Sequence, residues 1–222
     1  TKYLIEPWYN GAAMGRGWMK TIRQPAEVRA AAELAALQAT DSHPKPSGWN
    51  LSPRAVETFI LGSTQPIQGV IILPKYVGDR ALVQVAIATL ASDRALLLVG
   101  EPGTAKSRLS EHLAAAISGS SEGMIHGTAG TTEDQLKYSW NYALLLSQGP
   151  SDAALVKSPL YRGMENGAIV RIEEITRTAP EVQDVLISIL SEKSIALPEL
   201  GRTLYASRGF NLIATANTRD RG

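Results

Sequence analysis

The chain has 222 residues, 44% hydrophobic and 19% charged, enough to bury a proper core as one full domain plus an extension or as two small domains. Its formal net charge of +1 provides no global field to recruit nucleic acid, an anionic membrane or acidic substrates. It has no cysteine, which excludes disulfides, thiolate zinc sites and cysteine nucleophiles, and its three histidines (His43, His112, His126) lack metal-ligand spacing.

No run approaches the ~20 apolar residues of a bilayer span and no signal peptide is visible, so the expected location is cytoplasmic, without membrane contact. The start at Thr1 and the end at "TRDRG" lead us to expect a piece of a longer chain.

Residues 1–70 read as an N-terminal extension of helix and loop, without visible chemistry. "EPWYNGAAMGRGW" is rich in glycine and aromatics and has no clear periodicity. "QPAEVRAAAELAALQA" is a helix of good formers starting near Pro25, and "DSHPKPSG" is an exposed loop. In "NLSPRAVETFILG", Ser52 caps a short helix, Pro53 opens it and Gly62 ends it.

From about residue 71 strands and helices alternate. Asp79 caps a helix that places Leu82, Ala86 and Leu90 on one face. "RALLLV" (94–99) suits a buried parallel strand. The helix after it carries Leu109, Leu113 and Ile117 on one stripe and stops at Gly119. "GMIHG" is a second strand. Thr132 and Gln135 form a capping box for a helix over 132–147. "GAIVRI" (167–172) is the third strand, and Thr178 with Glu181 has capping-box spacing for the next helix, with Pro180 in its first turn. A hairpin follows over 195–205, and "FNLIATA" (210–216) is the fourth strand. Such alternation predicts a parallel sheet with helical crossovers, whose ligands sit beyond the carboxyl ends of the strands.

Three polar signals fall at those ends. The first is "VGEPGTAKSR": Gly100 and Gly103 free the backbone, Pro102 stiffens the turn, and Glu101 and Thr104 complete a loop leading to Lys106, Ser107 and Arg108 at a helix start. Successive N–H groups, a lysine for the phosphates and a hydroxyl for Mg²⁺ are what a phosphate-binding loop requires. Ala105 stands where the strict pattern has glycine, so it is expected to adopt helical dihedrals with its methyl turned away. The second signal is Glu173-Glu174, two carboxylates ending a buried strand. These are costly there without a cation, and Mg²⁺ held by nucleotide phosphates would supply one. Glu173 would hold the metal and Glu174 would polarise the attacking water. The third signal is Thr215 and Asn217, where an amide beside the acidic pair could orient that water.

In this order the motifs resemble the AAA+ ATPases, most closely the MoxR branch. The resemblance is carried by "VGEPGTAKS", "SPLYRGMENGAIVRIEEITRTAPEVQDVLISILSEK" and "GFNLIATANTRDRG", with "YVGDRALV" similar to the segment over the adenine. It implies an α/β P-loop AAA+ core over 71–222, a parallel sheet flanked by helices, with 1–70 as a mainly helical extension. It also implies ATP and Mg²⁺ as cofactors, ring assembly, usually hexameric, and often a von Willebrand factor A partner. By the same resemblance Glu173 takes the metal position, Glu174 the water-activating position and Asn217 the first sensor, while Val77 and Gly78 lie near the adenine.

Two departures accompany it. The family's usual acid at 173 is aspartate, and the arginine finger and helical lid would lie beyond residue 222. Arg219 and Arg221 are near the right region for a finger without being assigned to it, and Arg177 could face a neighbouring subunit. A nucleotide-gated scaffold with slow or no hydrolysis is the alternative reading. A phosphoryl-transfer enzyme has no evident second-substrate site, and no basic stripe points to nucleic acid.

Overall fold

The computed structural model describes residues 23–218. The glycine- and aromatic-rich stretch "EPWYNGAAMGRGW", Arg219 and Arg221 lie outside the described residues.

Three helices come first. α1 (Ala26–Arg29) starts after Pro25, and α2 (Ala31–Thr40) follows directly. α3 (Pro53–Leu61) is capped as its sequence predicts: Ser52 Oγ accepts from Ala55 N, and Gly62 ends the helix at φ 87°. In α4 (Arg80–Ala91), Asp79 accepts from Ala81 N. Its buried residues are Val83, Ala86, Ile87 and Leu90, whereas Leu82, expected on that face, is largely exposed. The buried stripe is rotated by one residue.

β1 (Leu96–Gly100) and α5 (Lys106–Ser118) follow, then β2 (Met124–His126), α6 (Glu133–Leu136), β3 (Tyr138–Trp140), α7 (Tyr142–Gln148), β4 (Leu155–Lys157), α8 (Pro159–Asn166) and β5 (Ile169–Glu173). The chain continues through α9 (Pro180–Glu192), β6 (Ser194–Leu197), β7 (Arg202–Tyr205) and β8 (Asn211–Asn217). The main sheet is parallel, in the order β1-β8-β5-β2. β5 and β8 are central and almost wholly buried, which explains their continuous apolar character.

Two local expectations are corrected. The helix predicted over 132–147 is interrupted, because Tyr138–Trp140 leaves the helical path to pair antiparallel with β4. β-favouring Tyr and Trp gain a partner strand that local periodicity does not reveal. The N-cap of α9 is Ala179 rather than Thr178, whose hydroxyl instead donates to Ile175 O at 2.7 Å. The 3₁₀ turn Ile175–Arg177 claims that hydroxyl first.

One hydrophobic core joins the first helices to the sheet. Leu37, Val56, Phe59 and Ile60 pack in the same cluster as Leu98, Leu109, Leu113 and Ile117. α5 is therefore buried without interruption from Leu109 to Ile117, with the sheet on one side and α1 and α3 on the other. A second core lies under α8 and α9 and holds Leu160, Met164, Val170, Ile172, Leu186 and Leu212. Polar ties reinforce the docking of α1. Glu111 on α5 is buried against Arg29 at 2.8 Å and Arg23 at 3.2 Å, and Glu27 accepts from Ser121 Oγ at 2.7 Å. Among the described residues no helix is long and apolar enough to cross a membrane.

Candidate nucleotide site

β1 ends at Gly100 and α5 begins at Lys106, so the five residues between them form a loop at the carboxyl edge of the sheet. Thr104 closes it, its hydroxyl donating to Glu101 O at 2.8 Å. Gly103 sits at φ 84°, a conformation that needs glycine. Ala105 is also left-handed, at φ 62° and ψ 20°, which overturns the helical dihedrals expected for it. The closed turn before it and the helix after it fix this geometry. An alanine there carries a strain of about 1–2 kcal/mol.

Lys106 arches back over the loop. Its ammonium donates to Glu101 O at 2.7 Å and Gly100 O at 3.0 Å. This places a positive charge beside the N-terminus of a 13-residue helix, whose free N–H groups add partial positive charge of their own. Glu101, Pro102 and Arg108 are exposed, and Arg108 lies 3.9 Å from Glu111.

Ser107 points to the acidic pair. Its hydroxyl donates to Glu173 Oε2 at 2.6 Å. The same oxygen accepts from Thr215 Oγ1 at 2.7 Å, and Oε1 accepts from Ser110 Oγ at 3.0 Å and Arg171 Nη1 at 3.3 Å. Glu173 is buried and fully partnered. Ser107 and Glu173 Oε2 present two hard oxygens at one point. This donor set fits Mg²⁺, which usually takes one or two protein oxygens and completes its shell with phosphate and water.

Glu174 follows at φ 58°, a left-handed residue that turns the chain sharply at the strand end. Thr215 ties both acids together, since its hydroxyl also accepts from Glu174 N at 3.1 Å. The Glu174 carboxylate receives Arg177 Nη1 at 2.8 Å. That hydrogen bond holds Glu174 below the usual carboxylate range against the opposing effect of burial, with Arg177, His126 and Lys106 adding their charge. Gly127, just after β2, lies so close that a Cβ on it would stand 2.6 Å from Glu174 O and 3.0 Å from Glu173 O.

Asn217 ends β8 directly beside Gly100, and Thr218 N donates to Gly100 O at 3.2 Å. The tips of β1, β5 and β8 thus bring Lys106, Ser107, Glu173, Glu174 and Asn217 to one edge. Val77 and Gly78 lie in the bend before α4, Val77 exposed and Gly78 against the Tyr76 ring. The helix they precede, α4, packs on β1. A cavity of about 540 Å³ opens beside the Ser107–Glu173 contact, lined by Arg23, Ser107, Glu111, His126, Arg171 and Glu173.

Sequence reasoning passed over Ser110, Gly127 and Arg171. Arg171 had a visible signal, a charged residue inside an apolar strand. Ser110 and Gly127 had none, because only the packing of α5 and β2 against β5 gives them a role.

A parallel sheet with a glycine-lysine loop after one strand, an acidic pair after a second and a polar tip on a third is the arrangement expected of an AAA+ domain. Residues 95–222 match the AAA domain of the dynein-related subfamily, and the chain belongs to that family. It is 55% identical over 204 residues to the uncharacterized protein YehL of Escherichia coli (strain K12), covering 90% of this chain and 55% of that protein. Over 141 residues it is 27% identical to the uncharacterized protein YojN of Bacillus subtilis (strain 168), covering 63% of this chain and 45% of that protein. The chain spans about half the length of these relatives. A crystal structure of a protein from Cytophaga hutchinsonii ATCC 33406 superposes at TM-score 0.49 and 15% identity, covering 89% of this chain and 48% of that one.

Proposed function

We propose that this chain carries the ATP-binding and hydrolysing core of a MoxR-type ring ATPase that remodels or chaperones a partner protein. The observation that carries this reading is the meeting of Ser107 and Glu173 at 2.6 Å beside the Lys106 loop. In this account the loop N–H groups and Lys106 bind the β- and γ-phosphates, and Ser107 and Glu173 would hold Mg²⁺. The metal, when bound, neutralises charge on the phosphate oxygens. Glu174 orients and accepts a proton from the attacking water once it leaves Arg177, and Asn217 fixes that water from the neighbouring strand. Val77 and Gly78 contribute to the adenine side.

The assembly proposed is a cytoplasmic homo-oligomeric ring, in the family's usual form a hexamer, working with a von Willebrand factor A protein or another client. In such a ring a neighbour's arginine completes the site and accelerates hydrolysis strongly. The test is phosphate release by the full-length protein with ATP and Mg²⁺, together with its mass in solution with and without nucleotide. Turnover that rises with assembly supports the proposal.

A second reading, a nucleotide-gated scaffold, is favoured by one observation: both acids already have cationic partners, Arg171 for Glu173 and Arg177 for Glu174. ATP-driven assembly with phosphate release at background would establish it in place of the first.

A further inference from the structure

β5 reads Ile-Val-Arg-Ile-Glu, and all five residues are buried. An arginine inside such a strand is costly unless its charge is met. Arg171 is 7% exposed, and residues two apart on a strand share a face, so it lies beside Glu173. Its Nη2 is anchored on Ser121 O at 2.9 Å and its Nη1 reaches Glu173 Oε1 at 3.3 Å. Ser110, one helical turn after Ser107, brings its hydroxyl to that same oxygen at 3.0 Å.

The two carboxylate oxygens therefore have separate tasks. Oε1 is met by Ser110 and Arg171, and Oε2 is met by Ser107 and Thr215. A shorter aspartate at 173 would set the carboxylate back by one methylene from both sets of partners. We infer that Arg171 and Ser110 are positioning residues that make glutamate, rather than aspartate, the metal-side acid of this site, by clamping one carboxylate oxygen so that the other faces Ser107. The clamp rests on the nucleotide reading proposed above and deepens it. It acts before any chemistry, on how nucleotide binding responds to Mg²⁺.

The test is a titration of a fluorescent ATP analogue with the full-length protein at a series of Mg²⁺ concentrations, paired with melting temperatures. Glu173→Asp leaves Arg171 buried without its partner, and Arg171→Met leaves Glu173 unclamped. Each should raise the Mg²⁺ needed to tighten nucleotide binding by roughly tenfold or more. The double variant E173D/R171M, which keeps the short acid but no longer buries an arginine without it, should lose no more than either single variant. Ser110→Ala should show a smaller shift in the same direction, and Arg171→Lys should retain part of the wild-type response. Additive effects on the Mg²⁺ response would overturn the clamp, even if melting temperatures were coupled, because a purely structural pair would move only stability. Wild-type protein that binds no nucleotide, or binds it indifferently to Mg²⁺, would overturn the clamp together with the nucleotide reading on which it rests.

Discussion

Ser107 and Glu173 stand 66 residues apart in the chain, yet the serine hydroxyl donates to the carboxylate at 2.6 Å, joining the first turn of α5 to the tip of β5. Ser107→Ala should leave binding of nucleotide without metal close to wild type and weaken Mg²⁺-dependent binding by about tenfold or more. Isothermal titration with and without Mg²⁺ checks this. Equal loss under both conditions would place Ser107 on the phosphates rather than on the metal side.

Ala105 offers a test of the loop's backbone. Its φ of 62° costs an alanine energy that glycine would not incur. Ala105→Gly should stabilise the protein by about 1 kcal/mol, less whatever the added freedom of the unfolded chain removes. That corresponds to a rise of at most roughly 2–4 °C in melting temperature at this size. A fall in melting temperature would show that residue 105 is not left-handed.

Gly127 should be intolerant of any side chain. A Cβ there meets the carbonyls of both acidic residues, so Gly127→Ala must push β2 away or displace the Glu173–Glu174 turn. A loss of about 1–3 kcal/mol is expected from overpacking, accompanied by weaker Mg²⁺-dependent nucleotide binding. Thermal melting and the titration just described check both parts.

His112 sets a pH dependence. Burial holds its imidazole below the usual value, opposed by its bond to the Arg108 carbonyl at 2.7 Å and the charge of Glu111. Its folded pKa lies below the unfolded value, so the unfolded chain binds the proton first. Stability should be level above the unfolded pKa of about 6.5 and fall as pH drops below it. His112→Gln should flatten that part of the melting-temperature profile, and an unchanged slope would refute the assignment.

Much of this architecture is legible in the sequence because it is local. Ser52, Asp79 and Gly62 announce helix ends through backbone hydrogen bonds within a few residues. The order of loop, acidic pair and polar strand tip is likewise written along the chain. What the sequence conceals depends on contacts distant in sequence. The β3–β4 pairing breaks an apparent helix, and α5, buried from Leu109 to Ile117, looks from its own residues like an amphipathic surface helix. The Glu173 clamp draws on α5, β5 and β8 at once, so its partners emerge only when those elements meet. Ala105 departs from its expected helical dihedrals for a related reason: its dihedrals are imposed by the closed turn before it, not by its own preference.

The most direct test of the catalytic account is Glu174→Gln in the full-length protein, with phosphate release and nucleotide affinity measured side by side. The account predicts turnover reduced by about 10²-fold or more, the usual contribution of a positioned base, with nucleotide affinity unchanged. Unchanged turnover in that variant would contradict it and require the attacking water to be activated elsewhere.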